Sequence, residues 1–405
     1  MGGRILKEQN NWDIFLLATY FFSLTLSVVN EKYITLSMAS SARIIMLVIT
    51  LIYFSYKYIK KYQLNIPKPE RNIQGNILFI WLLFGFSILI SEAINLQLPT
   101  AGIGYILFVP ISYFLIFNKG MDNTILTSLK SMFFSQFSII IWSLFEVMEW
   151  NTAYYLGITN NSNNMGLIAY GAAFSSILIL LYHQHFKSGS KLMNIFYGIS
   201  GIISLGVLFQ TGSRTPLVAL IFPVGLFFLY ILFINKIKIY RIIASIIAFI
   251  VLYNVFLKDM FDEYVLSKFQ TTSLRGDLFS GRGAIWENAI SDTTIFGHGE
   301  SYFENILGIA SHNVVIQFLG EYGLIAMILF IIFLISILYL SLKNIFTIDD
   351  NFSFIIIFMF LSSYLIISMG ESIFGVITDV ETNVLFILIG YLLFYRRSEY
   401  DKYIN

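Results

Sequence analysis

Apolar runs of membrane-spanning length recur from one end of this 405-residue chain to the other, and no other feature narrows its fold as much. A helix needs about 20 largely apolar residues to cross the hydrocarbon of a bilayer. On that rule candidate spans lie at 12–29, 34–56, 76–92, 102–117, 124–148, 162–182, 193–210, 215–235, 240–257, 312–341, 352–370 and 380–395. Of all residues 57% are hydrophobic and 12% charged, against about a quarter charged in an ordinary soluble domain. The solvent for most of the chain is therefore lipid. The expected fold is all-α: a polytopic membrane protein forming a single transmembrane domain over 1–405. It has about twelve transmembrane helices and one large extracytoplasmic loop, 258–311, between spans nine and ten. Arg4 and Lys7 precede the first run as in a signal peptide, but no small-residue cleavage site follows Val28-Val29-Asn30. The run therefore reads as an uncleaved first helix.

Lys and Arg concentrate in cytoplasmic loops. With the N-terminus inside, 18 of the 25 basic residues fall inside, among them Arg4, Lys7, Lys57, Lys60, Lys61 and Arg241. Lys32, Arg214, Lys258, Lys268, Arg275 and Arg282 fall outside, and Arg43 lies within a span. This split puts both termini inside and the long loop outside. The net charge of +1 offers no bulk attraction for nucleic acid. The absence of cysteine removes disulfides, thiolate metal sites and thiol nucleophiles. The inside loops are short, and no phosphate-cradling glycine pattern occurs, which argues against an ATP-driven pump.

The chemistry-bearing residues lie mainly on the expected outer side. Gln210-Thr211-Gly212-Ser213-Arg214-Thr215-Pro216 joins spans seven and eight. Pro216 suits the first turn of a helix, whose free N–H groups then sit beside the Arg214 guanidinium and favour a phosphate or diphosphate. The alternative is an interfacial Arg meeting lipid headgroups. In Ser280-Gly281-Arg282-Gly283-Ala284-Ile285-Trp286-Glu287, Ser280 suits the cap of a short helix with Ile285, Trp286 and Ala289 on its apolar face. Arg282 in its first turn opposes the helix dipole, and an anionic ligand supplies a reason. Arg275 is a reserve candidate or a solvated loop residue. Ser311-His312-Asn313 opens span ten, where the dipole favours a neutral imidazole able to accept a proton; a capping or interfacial His is the alternative. Gly323, eleven residues on, falls on the same helix face at about 20° offset and admits close helix approach. Arg43 and Glu321 are charges inside spans, hence functional candidates, unless they pair with each other or with Tyr and Asn side chains. Asn163 and Asn164, at the start of span six, are placed to line the same cavity. Glu371, Asp379 and Glu381 read as a solvated acidic rim.

In this order, Thr211 to Thr215, Ser280-Gly281-Arg282, Gly297-His298-Gly299-Glu300, His312-Asn313 and Gly323-Leu324-Ile325 resemble the O-antigen polymerase and O-antigen ligase superfamily of bacterial membrane glycosyltransferases. Asn163-Asn164-Met165-Gly166 is similar to the family's Asn-rich start of a span, and the likeness covers mainly residues 160–340. The resemblance implies a GT-C-like membrane fold in the bacterial inner membrane, with the site on the extracytoplasmic side. It implies an undecaprenyl-diphosphate-linked oligosaccharide as donor, membrane lipid as surroundings and, for a polymerase, a chain-length regulator as partner. In the expected mechanism Arg214 and Arg282 neutralise the diphosphate, and His312 acts as base toward the acceptor hydroxyl. Ser213, Thr215, Arg275, Asn313, Asn163, Asn164, Arg43 and Glu321 are the candidate substrate-binding residues. No acidic cluster of metal-ligand spacing stands beside the motifs, so neither metal nor cofactor is expected, with Asp277 and Glu300 the residues that keep a metal open. A polymerase is favoured over a ligase on composition, because the chain is rich in Ile, Asn, Phe and Lys. The protein O-oligosaccharyltransferases usually carry a large soluble C-terminal domain, which the ten residues after Tyr395 do not provide. The rival of another class is a lipid-linked oligosaccharide flippase or other transporter, which would spread charge along a central path.

Overall fold

The computed structural model describes residues 10–63, 69, 72–147, 154–234, 282–308, 310–348 and 351–395. Span 240–257 and the first part of the loop 258–311, with Arg275, Asp277 and Ser280, lie outside these residues. In hydrocarbon a backbone must satisfy its own hydrogen bonds, and the chain does so with helices. They are α1 (Asn11–Thr25), α2 (Leu36–Tyr62), α3 (Asn72–Ile94), α4 (Thr100–Gly120), α5 (Thr124–Glu146) and α6 (Ser162–Phe186). There follow α7 (Lys191–Gln210), α8 (Arg214–Ile234), the short α9 (Arg282–Ser291), α10 (Val314–Thr347), α11 (Phe352–Ser368) and α12 (Val380–Leu393). Each predicted span except 240–257 thus has a helical counterpart. Among the described residues nine helices are long and apolar enough to cross a membrane, while α11 and α12 are shorter.

The two short helices are the interior of the bundle. Residues Val384 to Ile389 of α12 are fully buried, whereas Ile44, Ile45, Val48, Ile49 and Ile52 of α2 are exposed and face lipid. A helix enclosed by others need not match the bilayer's thickness. Trp81 of α3 anchors this interior, its ring against Tyr105, Phe114, Phe333 and Phe386 and its N–H on the Tyr105 carbonyl at 2.7 Å. Gly390 lets α12 approach α4 closely: a Cβ there would lie 2.5 Å from Phe114 Cα.

The helix ends form two distinct layers. At one, Val29 pairs with Thr159, and the Tyr155 N–H donates to the Gln210 carbonyl at 3.1 Å. At the other, Lys57 binds Asp13 at 2.7 Å and Asp122 at 3.2 Å, and Asn123 donates to Tyr182 at 3.0 Å. Arg214, α9, His312 and the segment after α11 belong to the first layer.

Candidate active site

Three helix starts converge on one short segment, Met369 to Ser372, which leaves α11 in a tight turn. The N–H groups of Gly370 and Glu371 both reach back to the Ile367 carbonyl, at 2.9 and 2.8 Å. That turn directs the next groups toward α8, α9 and the start of α10.

From α8, Thr215 packs on Gly370 so closely that a Cβ at Gly370 would lie 2.4 Å from Thr215 Oγ1. The turn before it needs Gly212 at φ +62°, and Ser213 Oγ donates to Asn163 Oδ1 at 3.4 Å. Gly166 completes that junction, because a Cβ there would sit 2.5 Å from Ser213 Cβ. Asn164 serves the cap of α6 through its backbone N–H, which binds Asn161 Oδ1 at 2.8 Å. Arg214 stands in the first turn of α8.

From α9, Arg282 Nη1 donates to the Gly370 carbonyl at 2.5 Å and Nη2 meets Glu371 Oε1 at 3.4 Å. The expected apolar face of α9 is present: Ile285 and Ala289 are buried with Tyr302 and Phe303, and Trp286 packs beside them. Trp286 Nε1 donates to the Ser311 carbonyl at 2.8 Å, which ties α9 to the turn holding His312.

From the start of α10, Ser311 Oγ meets Ser372 Oγ at 2.6 Å, and Asn313 Nδ2 donates to the Met369 carbonyl at 3.3 Å. Asn313 is the helix cap, its Oδ1 accepting from the N–H groups of Val315 and Ile316 at 2.9 and 3.1 Å. His312 does not cap; it sits one residue earlier with φ +52°. A left-handed non-glycine residue costs about 1–3 kcal/mol and persists when its surroundings fix it; here Ser311 and Asn313 pin both sides. Its Nδ1 lies 3.2 Å from Glu371 Oε2.

Glu371 thus binds Arg282 through one oxygen and His312 through the other. It is a shielded bridge, its side chain 12% exposed, and the reading of it as a solvated rim is wrong. The carboxylate makes Nδ1 the protonated nitrogen and leaves Nε2 as an acceptor. Among the described residues Nε2 has no hydrogen-bond partner. The Arg214 and Arg282 guanidinium groups lie near enough to repel. Two neighbouring guanidinium groups suit an anion whose charge spans both.

Two further expectations need correction. Arg43 and Glu321 do not pair: Arg43 Nη1 donates to the Ile377 carbonyl at 3.3 Å, and Glu321 Oε2 accepts from Gln317 at 3.2 Å. Arg43 therefore supports the segment between α11 and α12, and Glu321 sits on a different element. Gly323 does not admit a neighbouring helix on the His312 face. It breaks α10, with φ 89° and ψ −178°, and the residues that enter are Ile295 and Gly297. A Cβ on Gly323 would lie 2.3 Å from the Ile295 carbonyl oxygen. Leu324 N–H donates to the Thr294 carbonyl, and the His298 and Gly299 N–H groups donate to the Gly320 and Glu321 carbonyls, at 2.9–3.0 Å. His298 stacks on Tyr302 and binds the Asp292 carbonyl at 2.7 Å. Among the described residues no group of three or more His, Asp and Glu side chains is placed to hold a metal ion.

Residues 199–331, about a third of the chain, match the family described as O-antigen ligase. No curated protein matches the chain. The matched segment contains Arg214, Arg282, His312 and Gly323 but ends before Glu371. Over this third the chain is similar to the O-antigen ligase family, and its described residues include nine helices long and apolar enough to cross a membrane.

Proposed function

We propose that the chain is a membrane glycosyltransferase that polymerises undecaprenyl-diphosphate-linked oligosaccharide repeat units at the outer face of the bacterial inner membrane. The observation that carries this reading is the Arg282–Glu371–His312 bridge beside Arg214. Arg214 and Arg282 hold the donor's diphosphate. His312 Nε2 takes the proton from the acceptor hydroxyl as its oxygen bonds to the anomeric carbon. The bond from that carbon to the diphosphate oxygen breaks, and its electron pair leaves on the diphosphate, where the two guanidinium groups neutralise it. Glu371 keeps Nδ1 protonated and stabilises the imidazolium that forms, so His312 accepts through Nε2. Ser213, Thr215, Asn163, Asn164 and Asn313 shape the site and fix the helix starts that carry it. The orientation rests on the Lys and Arg distribution, which puts the Arg214 layer outside.

The description of the matching family favours a second reading, a ligase that uses the same donor and the core of lipid A as acceptor. Glycan transfer by the purified full chain in nanodiscs, with a synthetic lipid-diphosphate oligosaccharide, separates the two. A ladder of longer lipid-linked products, lost in Arg214→Ala, Arg282→Ala and His312→Ala, is the expected result. Product only when lipid A–core is added would make it a ligase. Folded protein that transfers to neither acceptor would overturn both in favour of a transporter.

A further inference from the structure

A cleft of about 510 Å³ opens at the turn between α6 and α7, in the layer away from Arg214. Its lining includes Lys187, Ser188, Lys191, Asn194 and Ile195. Among the described residues neither Lys187 nor Lys191 meets a carboxylate. Ser188 Oγ is buried there without a hydrogen-bond partner among the same residues. Lys191 is also the first residue of the 20-residue α7, so the positive end of that helix lies at the cleft. Two unpaired ammonium groups, a dipole end and an unmet hydroxyl in one cleft have the chemistry of a phosphate site.

The adjoining surface distinguishes a lipid phosphate from a soluble one. Leu192, Ile195, Ile199 and Ile202 recur at three- and four-residue spacing on one face of α7, and they are 76, 49, 56 and 70% exposed. Ile195 belongs to both surfaces, so an apolar stripe runs from the cleft along the helix into the bilayer. A soluble phosphate leaves that stripe unused. We infer that the cleft holds the phosphate of an anionic phospholipid, with one acyl chain lying along the α7 stripe. Basic pockets at helix ends recognise acidic lipid headgroups in this way. The site is independent of glycan transfer and stands whichever acceptor the enzyme uses.

Lipid binding to the delipidated full chain in detergent, read by native mass spectrometry, tests it. The probes are phosphatidylglycerol, phosphatidylcholine with the same chains, and inorganic phosphate as competitor. Wild type should bind phosphatidylglycerol roughly twentyfold more tightly than the Lys187→Gln/Lys191→Gln double variant, about fivefold for each charge. Lys60→Gln, which removes an exposed charge from the same layer, should bind as wild type, and millimolar phosphate should not displace the lipid. Equal binding by wild type and the double variant would overturn the proposal, as would equal affinity for phosphatidylcholine. Full displacement by phosphate would make it a small-anion site instead.

Discussion

Two short non-helical segments hold the Arg214 layer together, and they do so by opposite means. Met369 to Ser372 works through side chains: Glu371 bridges Arg282 and His312, and Ser372 meets Ser311. Thr294 to Gly299 works through the main chain, whose N–H and carbonyl groups pair with the broken turn of α10 at Gly320 to Ile325. At Gly323 the useful property is the absence of a side chain, since the approach of Ile295 and Gly297 leaves no room for a Cβ. The first segment places charge; the second sets where α9 and the start of α10 stand relative to each other. A substitution in the second should therefore cost the fold, and one in the first should cost the chemistry.

Gly323→Ala gives the largest expected effect. It adds a Cβ 2.3 Å from the Ile295 carbonyl oxygen at a φ of +89°, so stability should fall by about 3 kcal/mol. Thermal unfolding in detergent reads it, and an unchanged midpoint would erase the contrast between the segments. Glu371→Gln comes next. The amide cannot accept from both Arg282 and His312, and transfer should fall about a hundredfold while the unfolding midpoint stays near that of wild type. Full activity in this variant would remove Glu371 from the mechanism. Trp286→Phe keeps an aromatic ring in place but loses the indole N–H bound to the Ser311 carbonyl. A loss of about 1 kcal/mol and a fall of several-fold in kcat, with KM little changed, would mark it as positioning His312. Ser372→Ala removes one hydroxyl contact to Ser311 and should lower activity less than Trp286→Phe does. A larger loss would mean that the serine pair touches substrate.

Arg214, Arg282 and His312 were legible because each breaks a local rule: a cation on the side where basic residues are scarce, a cation in a helix's first turn, and a His at the mouth of a span. Ser213, Thr215, Asn163 and Asn313 were legible as neighbours of those positions. Glu371 was not. An acid in a short loop between apolar runs looks solvated, and its partners stand 59 and 89 positions away in the chain. The available signal was an acid on the same expected outer side as the candidates Arg282 and His312. Gly323 misled for a related reason: helical spacing assumes an unbroken helix, and the residues that break it come from a loop some 25 positions earlier.

The sequence alone determined that this chain is a helical bundle in lipid, because hydrophobic length and charge placement are local properties that the bilayer reads directly. It also determined which helix starts carry cations and an imidazole. The tertiary structure decided which of those starts meet, that Glu371 joins them, and that Arg43 and Glu321 stay apart. Such choices depend on how helices far apart in sequence pack around α11 and α12, and no local pattern records that packing.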